Sequence, residues 1–157
     1  MKITLIVIGK ENAEIFEEAV NYYFKKINFY SFFEIMAIPY LKNCKFLSVE
    51  EQKKTEGELF LKKIDTTDFV VVLDENGKKL SSVDFASFIQ QNMNAGLKKL
   101  VFLIGGAYGF SEAVYARKNY SLSLSNMTFP HIMTRLIFSE QLYRAFTILN
   151  HEPYHHI

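Results

Sequence analysis

Short apolar runs alternate along the chain with longer segments whose apolar residues recur every three or four positions. The first run spans residues 3–8, is rich in Ile, Leu and Val, and closes on Gly9. Unbroken apolar runs of this length are typical of strands that are buried on both faces of a parallel sheet. The same pattern predicts further strands over 32–38, 68–73, 100–104 and 120–124.

The segments between these strands carry helical spacing and helix caps. Ser48 begins Ser-Val-Glu-Glu, a capping-box pattern, and Ser81 and Ser111 occupy similar starting positions. Gly96 is expected to end the third helix, and a turn is expected at 74–77. The predicted helices cover residues 11–27, 48–64, 81–94, 111–118 and 132–150. Alternating strands and helices predict an α/β fold with a mostly parallel sheet flanked by helices, and we expect residues 1–157 to form one domain.

Composition excludes several classes of protein. Of 157 residues, 49% are hydrophobic, which rules out a disordered chain, and the single cysteine, Cys44, rules out an internal disulfide or a multi-cysteine zinc site. The formal net charge of +1 means that any nucleic-acid contact must come from a local patch. Aromatics reach 15%, and some could lie in a subunit interface. The N-terminal apolar run is too short for a signal peptide or a membrane span, so we expect a soluble cytoplasmic protein.

Glycines follow the fourth predicted strand, at Gly105, Gly106 and Gly109. Such glycines let a ligand approach the backbone, or they simply allow a tight strand-to-helix turn. The spacing does not match the dinucleotide fingerprint, and the chain has no phosphate-binding P-loop motif, so a nicotinamide oxidoreductase is disfavoured.

Four histidines lie after residue 130, at His131, His151, His155 and His156. Clustered histidines suggest a metal site or proton transfer, but neither a metalloprotease motif nor a nearby carboxylate at ligand spacing accompanies them. We therefore expect no metal, and each histidine taken singly is more simply structural or in contact with RNA.

Charged residues on two helices leave alternatives open. Glu140 and Arg144 are four residues apart and can form either a surface ion pair or part of a site, and Arg135 lies on the same helix. Arginine is well suited to phosphate contact. The charged helix over 48–64 is either a solvated face or a basic stripe facing RNA.

Four motifs in order identify a resemblance. They are Leu-Ile-Gly-Gly-Ala-Tyr-Gly-Phe at 103–110, Ser-Leu-Ser-Asn-Met-Thr-Phe-Pro-His at 123–131, Ser-Glu-Gln-Leu-Tyr-Arg-Ala-Phe at 139–146, and Pro-Tyr-His at 153–155. With the opening Met-Lys-Ile-Thr-Leu-Ile-Val-Ile-Gly-Lys, the chain resembles the family of ribosomal RNA large subunit methyltransferase H (RlmH) over essentially its whole length.

This resemblance implies a minimal SPOUT-type methyltransferase whose C-terminal segment forms a trefoil knot, an exception to the usual absence of knots. It implies methyl transfer from S-adenosylmethionine to N3 of a pseudouridine in 23S ribosomal RNA, by a homodimer acting on the ribosome. Other hypotheses are a SPOUT enzyme with another RNA substrate and a non-catalytic ribosome-associated protein.

The resemblance also implies two groups of site residues. An apolar slot and close backbone would bind the methyl donor at Leu73, Gly105, Leu124, Ser125, Asn126, Met127, Thr128 and Phe129. Catalytic candidates with unassigned roles are His131, Glu140, Arg144, Tyr154 and His155. A basic residue usually follows Tyr-His in the family, whereas this chain has His156, which would make an RNA contact there depend on pH.

Overall fold

In the computed structural model, which describes residues 1–9, 14–42 and 46–156, strands and helices alternate along the chain. The strands of the described residues are β1 (Lys2–Ile8), β2 (Phe33–Ile38), β3 (Phe69–Lys79), β4 (Lys99–Ile104) and β5 (Tyr120–Ser123). The helices are α1 (Glu14–Tyr30), α2 (Val49–Leu61), α3 (Ser82–Asn94), α4 (Glu112–Arg117) and α5 (His131–Leu149). All neighbouring strands pair in parallel, in the order β2-β1-β4-β3-β5. The predicted α/β class with a parallel sheet is confirmed, and the knot stays a prediction.

Two apolar layers bury both faces of the sheet. On one face, α1, α3 and α5 pack through Ile27, Ile89 and Phe138, all fully buried. On the other face, α2 and α4 pack through Phe60 and Val114. Successive residues of β1 and β4 alternate between these layers, as the pleat of a strand requires. None of the described helices is both long and apolar enough to cross a membrane.

The predicted helix caps are confirmed. Ser48 accepts a hydrogen bond from the Glu51 amide at 3.2 Å and donates its own amide to Glu51 Oε2 at 2.8 Å, so the capping box is complete. Ser81 and Ser111 also cap their helices, and Gly96 ends α3 with φ of +73°. Helix α1 ends at Tyr30 rather than Ile27. The expected start of α1 at residue 11, and Cys44, lie outside the described residues.

The predicted end of the third strand at Leu73 is wrong. Leu122 of β5 pairs with both Leu73 and Lys78, so residues 74–77 bulge out of the ladder and β3 then continues to Lys79. The segment expected to form a turn keeps one hydrogen bond typical of turns, in which the Asn76 amide donates to Asp74 Oδ1 at 2.8 Å. A Cβ on Gly77 would lie 2.6 Å from the Leu122 carbonyl carbon, so only glycine fits where the bulge rejoins the sheet.

Arg135 lies in the interior rather than at a phosphate-binding surface. Its Nη2 donates to the carbonyl oxygens of Ile8 at 2.9 Å and Gly9 at 2.8 Å, where β1 ends. The side chain is buried. One guanidinium thus ties the first turn and a half of α5 to the end of β1.

We expect Arg135→Ala to lower the free energy of unfolding by about 2–4 kcal/mol, because two buried carbonyls lose a charged donor and the side-chain volume is left empty. Arg135→Lys should recover part of this loss. Urea unfolding followed by circular dichroism measures both variants. An Arg135→Ala protein as stable as the wild type would show that these hydrogen bonds do not stabilise the fold.

Candidate functional site

A cavity of about 560 Å³ opens at the carboxyl edge of the sheet, beside the bulge of β3 and the ends of β4 and β5. Leu73 lines the cavity directly before the bulge of β3, Ile104 lines it as the last residue of β4, and Leu124 lines it directly after β5. Because all the strands are parallel, their carboxyl ends meet at this one edge, which is where open α/β sheets bind ligands. The volume suits a small organic molecule.

The glycine segment forms one wall of the cavity. The Gly109 amide donates to the Gly106 carbonyl at 3.1 Å, and Gly109 adopts φ of +78°, a conformation that favours glycine. A Cβ on Gly105 would lie 3.3 Å from the Gly109 backbone and from Phe110. The segment is therefore a tight turn whose backbone lines the cavity.

Residues 124–129 form the opposite wall. Ser125 Oγ accepts the Met127 amide at 2.9 Å, and Ser123 Oγ donates to the Ser125 carbonyl at 2.9 Å, so short local hydrogen bonds shape this loop. Met127 stays 73% exposed. The described lining residues include seven of the eight proposed for donor binding: Leu73, Gly105, Leu124, Ser125, Met127, Thr128 and Phe129. Asn126 lies on the same loop but is not among the lining residues.

Two acidic residues of the cavity were missed from the sequence. Asp74 and Glu75 belong to the bulge of β3 and line the cavity. The Tyr115 hydroxyl donates to Asp74 Oδ2, and Thr128 Oγ1 donates to Glu75 Oε2 at 3.3 Å, so the bulge is joined to α4 and to the 124–129 loop. Their position directly after a buried strand was the available signal, because polar residues there face the carboxyl edge.

A second group of predicted residues meets on α5 and the tail. Glu140 Oε1 accepts Arg144 Nε at 2.9 Å and the Tyr154 hydroxyl at 3.1 Å. Arg144 lies over the Tyr154 ring, 4.7 Å from its centroid, and its Nη1 lies 3.3 Å from His155 Nδ1. Because a guanidinium can only donate, a hydrogen bond in this contact requires Nδ1 of His155 to act as the acceptor. We call Glu140, Arg144, Tyr154 and His155 the tail cluster.

The tail is held by contacts far apart in sequence. The Tyr30 hydroxyl lies 2.7 Å from both carboxylate oxygens of Glu152, and the Glu152 amide donates to the Thr147 carbonyl at 2.9 Å. The Tyr143 and Tyr154 rings meet edge to face at 4.8 Å. Residues 151–155 are therefore a packed segment and not a frayed end.

The structure separates the predicted catalytic residues into two groups. His131 lines the cavity, at the first residue of α5. Glu140 follows nine residues later, about 13 Å along the helix axis at 1.5 Å per residue. Within one chain, the tail cluster therefore lies away from the cavity. Among the described residues, no three histidine, cysteine or acidic side chains gather as metal ligands.

The hydroxyls of Tyr30, Tyr115 and Tyr154 each donate to a carboxylate. Burial raises the pKa of each above its ordinary value of 10.0, and the hydrogen bond of Tyr154 with Tyr23 raises its pKa further. Glu140 similarly raises the pKa of Arg144. At neutral pH Tyr154 and Arg144 thus remain a hydrogen-bond donor and a cation.

Because these folded-state pKa values are raised, the phenols contribute stability that is fully present below about pH 10 and is lost as the pH rises through them. We expect Tyr154→Phe to flatten the decline in urea midpoint between about pH 9 and 11. Tyr108→Phe, at an exposed tyrosine, is the control. Parallel profiles for wild type and Tyr154→Phe would contradict the assignment.

Comparison with known proteins defines the class. The fold is that of a structure described as a probable methylase family protein from Haemophilus influenzae, with a TM-score of 0.52 at 10% identity over 95% of this chain and 66% of that one. A family model described as predicted SPOUT methyltransferase matches residues 1–155. The chain belongs to the SPOUT methyltransferase family.

Curated relatives are similar over nearly their full length. The chain is 53% identical to proteins named ribosomal RNA large subunit methyltransferase H from Christiangramia forsetii and Parabacteroides distasonis, and 46% identical to one from Porphyromonas gingivalis. Each match covers 99% of both chains. The resemblance drawn from the four motifs is confirmed.

Proposed function

We propose that the protein transfers a methyl group from S-adenosylmethionine to N3 of a pseudouridine in 23S ribosomal RNA, acting as a homodimer on ribosomes in the cytoplasm. The names of its relatives support a large-subunit RNA substrate. The observation that carries the proposal is the cavity at the carboxyl edge of the sheet, lined by the two loops that follow β4 and β5. The methyl donor, the nucleotide and the assembly are the proposed parts.

The residues of the cavity fit the proposed donor. An adenine needs an apolar slot, which Leu73, Leu124, Met127 and Phe129 supply, and it needs backbone groups for its polar edge. Gly105 lines the cavity without a side chain, so its backbone groups would serve that edge. When bound, the donor supplies a methyl group on a positively charged sulfur. The sulfur is a good leaving group because it becomes neutral when the methyl is transferred. The protein's task is then mainly to position the two reactants.

Gly105→Val should block donor binding, because its Cβ would press on the Gly109 backbone and on Phe110 at 3.3 Å, and the branched side chain would displace the glycine wall of the cavity. We expect the dissociation constant measured by calorimetry to rise at least about tenfold, with secondary structure retained. Ala113→Val, on an exposed position of α4, is the control for added volume.

Met127→Ala is a second test for the case that Gly105→Val fails to fold, since Met127 is largely exposed and lines the cavity. It should weaken binding of the donor several-fold. Unchanged affinity in both folded variants would contradict this donor site.

The tail cluster supplies groups for the nucleotide. N3 of the pyrimidine carries a proton at neutral pH, and its loss leaves negative charge on the ring. Arg144 and Tyr154 are a cation and a donor that could stabilise that charge, and Glu140 holds both in place. The proton acceptor remains one of His131, Glu140 and His155.

The two groups of residues are best united by a second chain. About 13 Å of helix separates His131 from Glu140 within one chain, which exceeds hydrogen-bond reach. In a dimer with two-fold symmetry, each tail cluster can face the cavity of the other copy. The partly exposed apolar residues in the first half of α5, Ile132, Met133, Leu136 and Ile137, offer a surface for that contact.

A mixing experiment tests this arrangement. Deleting residues 153–157 should reduce methyl transfer to ribosomes on the order of 10²-fold while leaving donor affinity nearly intact, because positioning and proton transfer are lost. Gly105→Val should also be inactive. Mixed dimers of the two variants pair one intact cavity with one intact tail from different chains, and should recover a substantial share of activity.

Several outcomes would contradict the proposal. A truncated protein that methylates at the full rate would exclude a catalytic tail. Inactive mixed dimers, or an active monomer by light scattering, would exclude a site built from two chains. Wild-type protein that binds the donor but adds no methyl group to ribosomes would favour a non-catalytic binding protein.

A further inference from the structure

One stripe of α1 presents aromatic and cationic side chains to solvent. Tyr22, Lys25, Lys26 and Phe29 are spaced i, i+3, i+4 and i+7, so they lie along a single face of the helix. We call these four residues the α1 stripe. Phe29 is 86% exposed and Tyr22 is 56% exposed, whereas Ile27 on the opposite face is fully buried. The acids of α1, Glu14, Glu17 and Glu18, are confined to its beginning.

The α1 stripe continues into the tail cluster. Lys26 Nζ lies 4.9 Å from the centroid of the Tyr22 ring and 5.1 Å from that of Tyr143. Tyr143 in turn meets Tyr154 at 4.8 Å. Lys26 therefore bridges the outer face of α1 and the residues proposed to act on the nucleotide, and hydrogen bonding with Tyr22 raises its pKa, which keeps it charged.

We propose that the α1 stripe binds single-stranded ribosomal RNA that flanks the target nucleotide, an inference that rests on the proposed function. Unpaired bases stack on exposed aromatic rings, and lysines interleaved with those rings neutralise the phosphates. The net charge of only +1 requires the protein to gather its RNA contacts in such a local patch.

Charge decides between RNA and the other possible occupant, a second copy of the chain. In a two-fold interface centred on this stripe, the lysines of one copy would face those of the other, and like charges repel. The charged helix α2 is a weaker RNA surface, because its lysines alternate with glutamates and Lys53 pairs with Glu50 at 3.3 Å.

The test uses Phe29→Ala and Lys25→Gln, singly and combined, in the full-length protein. Phe46→Ala and Lys62→Gln are matched controls, because Phe46 is 87% exposed and both positions lie outside the stripe. The substrate is ribosomes from a strain lacking this activity. A fluorescein-labelled oligouridylate of about 20 nucleotides serves as a binding probe that does not depend on catalysis.

We expect the combined variant to raise the KM for ribosomes about tenfold with kcat and donor affinity nearly unchanged, since base stacking and phosphate contact are lost but the reacting groups are not. The oligouridylate should bind correspondingly less tightly. Losing Lys25 should reduce the slope of log affinity against log salt by about 0.7. The controls should behave like the wild type.

Two results would overturn the inference. The first is a KM and an oligouridylate affinity equal to those of the controls. The second is dissociation of the combined variant into monomers, seen by light scattering, which would make the stripe an interface between copies. If wild-type protein methylates no ribosomes, the proposed function fails, and the oligouridylate measurement alone decides whether this face binds RNA.

Discussion

Burial of the sheet on both faces is the constraint on which the rest of the structure depends. Val71, Phe102 and Leu103 have no exposed surface, so the centre of the sheet is packed with apolar side chains and offers no opening for a ligand. Polar residues must then gather where the strands end. Because every strand runs in the same direction, the carboxyl ends share one edge, and the glycine turn, the acidic bulge and the 124–129 loop meet there.

Helix α5 holds the two groups of candidate site residues apart. It begins at the cavity with His131, is tied to β1 through Arg135, and packs Phe138 against the centre of the sheet. Its later turns carry Glu140 and Arg144. A rigid helix fixes the distance between the cavity and the tail cluster, so a single chain cannot close that distance by a small adjustment of side chains.

The sequence was most informative where structure depends on neighbours along the chain. The capping box at Ser48 needs only a residue three positions later, and the left-handed turn at Gly96 needs only the absence of a Cβ. The cavity walls at Gly105 and Leu124 followed from strand ends together with motif resemblance. These features are local, and a pattern of residues captures them.

Contacts between residues far apart in the sequence could not be predicted from local patterns. The hydrogen bond from Tyr30 to Glu152 joins positions 122 residues apart, and nothing near either residue indicates its partner. Arg135 could not be distinguished from a phosphate-binding arginine, because its partners are backbone carbonyls of β1. The bulge of β3 was equally hidden, since its register depends on β5.

The anchoring of the tail bears on how the two regions could act together. Residues after a final helix normally lose order, and ordering them costs entropy. Here Tyr30 holds Glu152 and Glu140 holds Tyr154 and Arg144, so that entropy is lost on folding and not when RNA binds. A tail fixed in this way could be presented to a second chain at a defined distance, whereas a mobile tail would have to be ordered in each encounter. The contacts that hold the tail against its own α1 and α5 are thus the same contacts that would allow it to complete a site elsewhere.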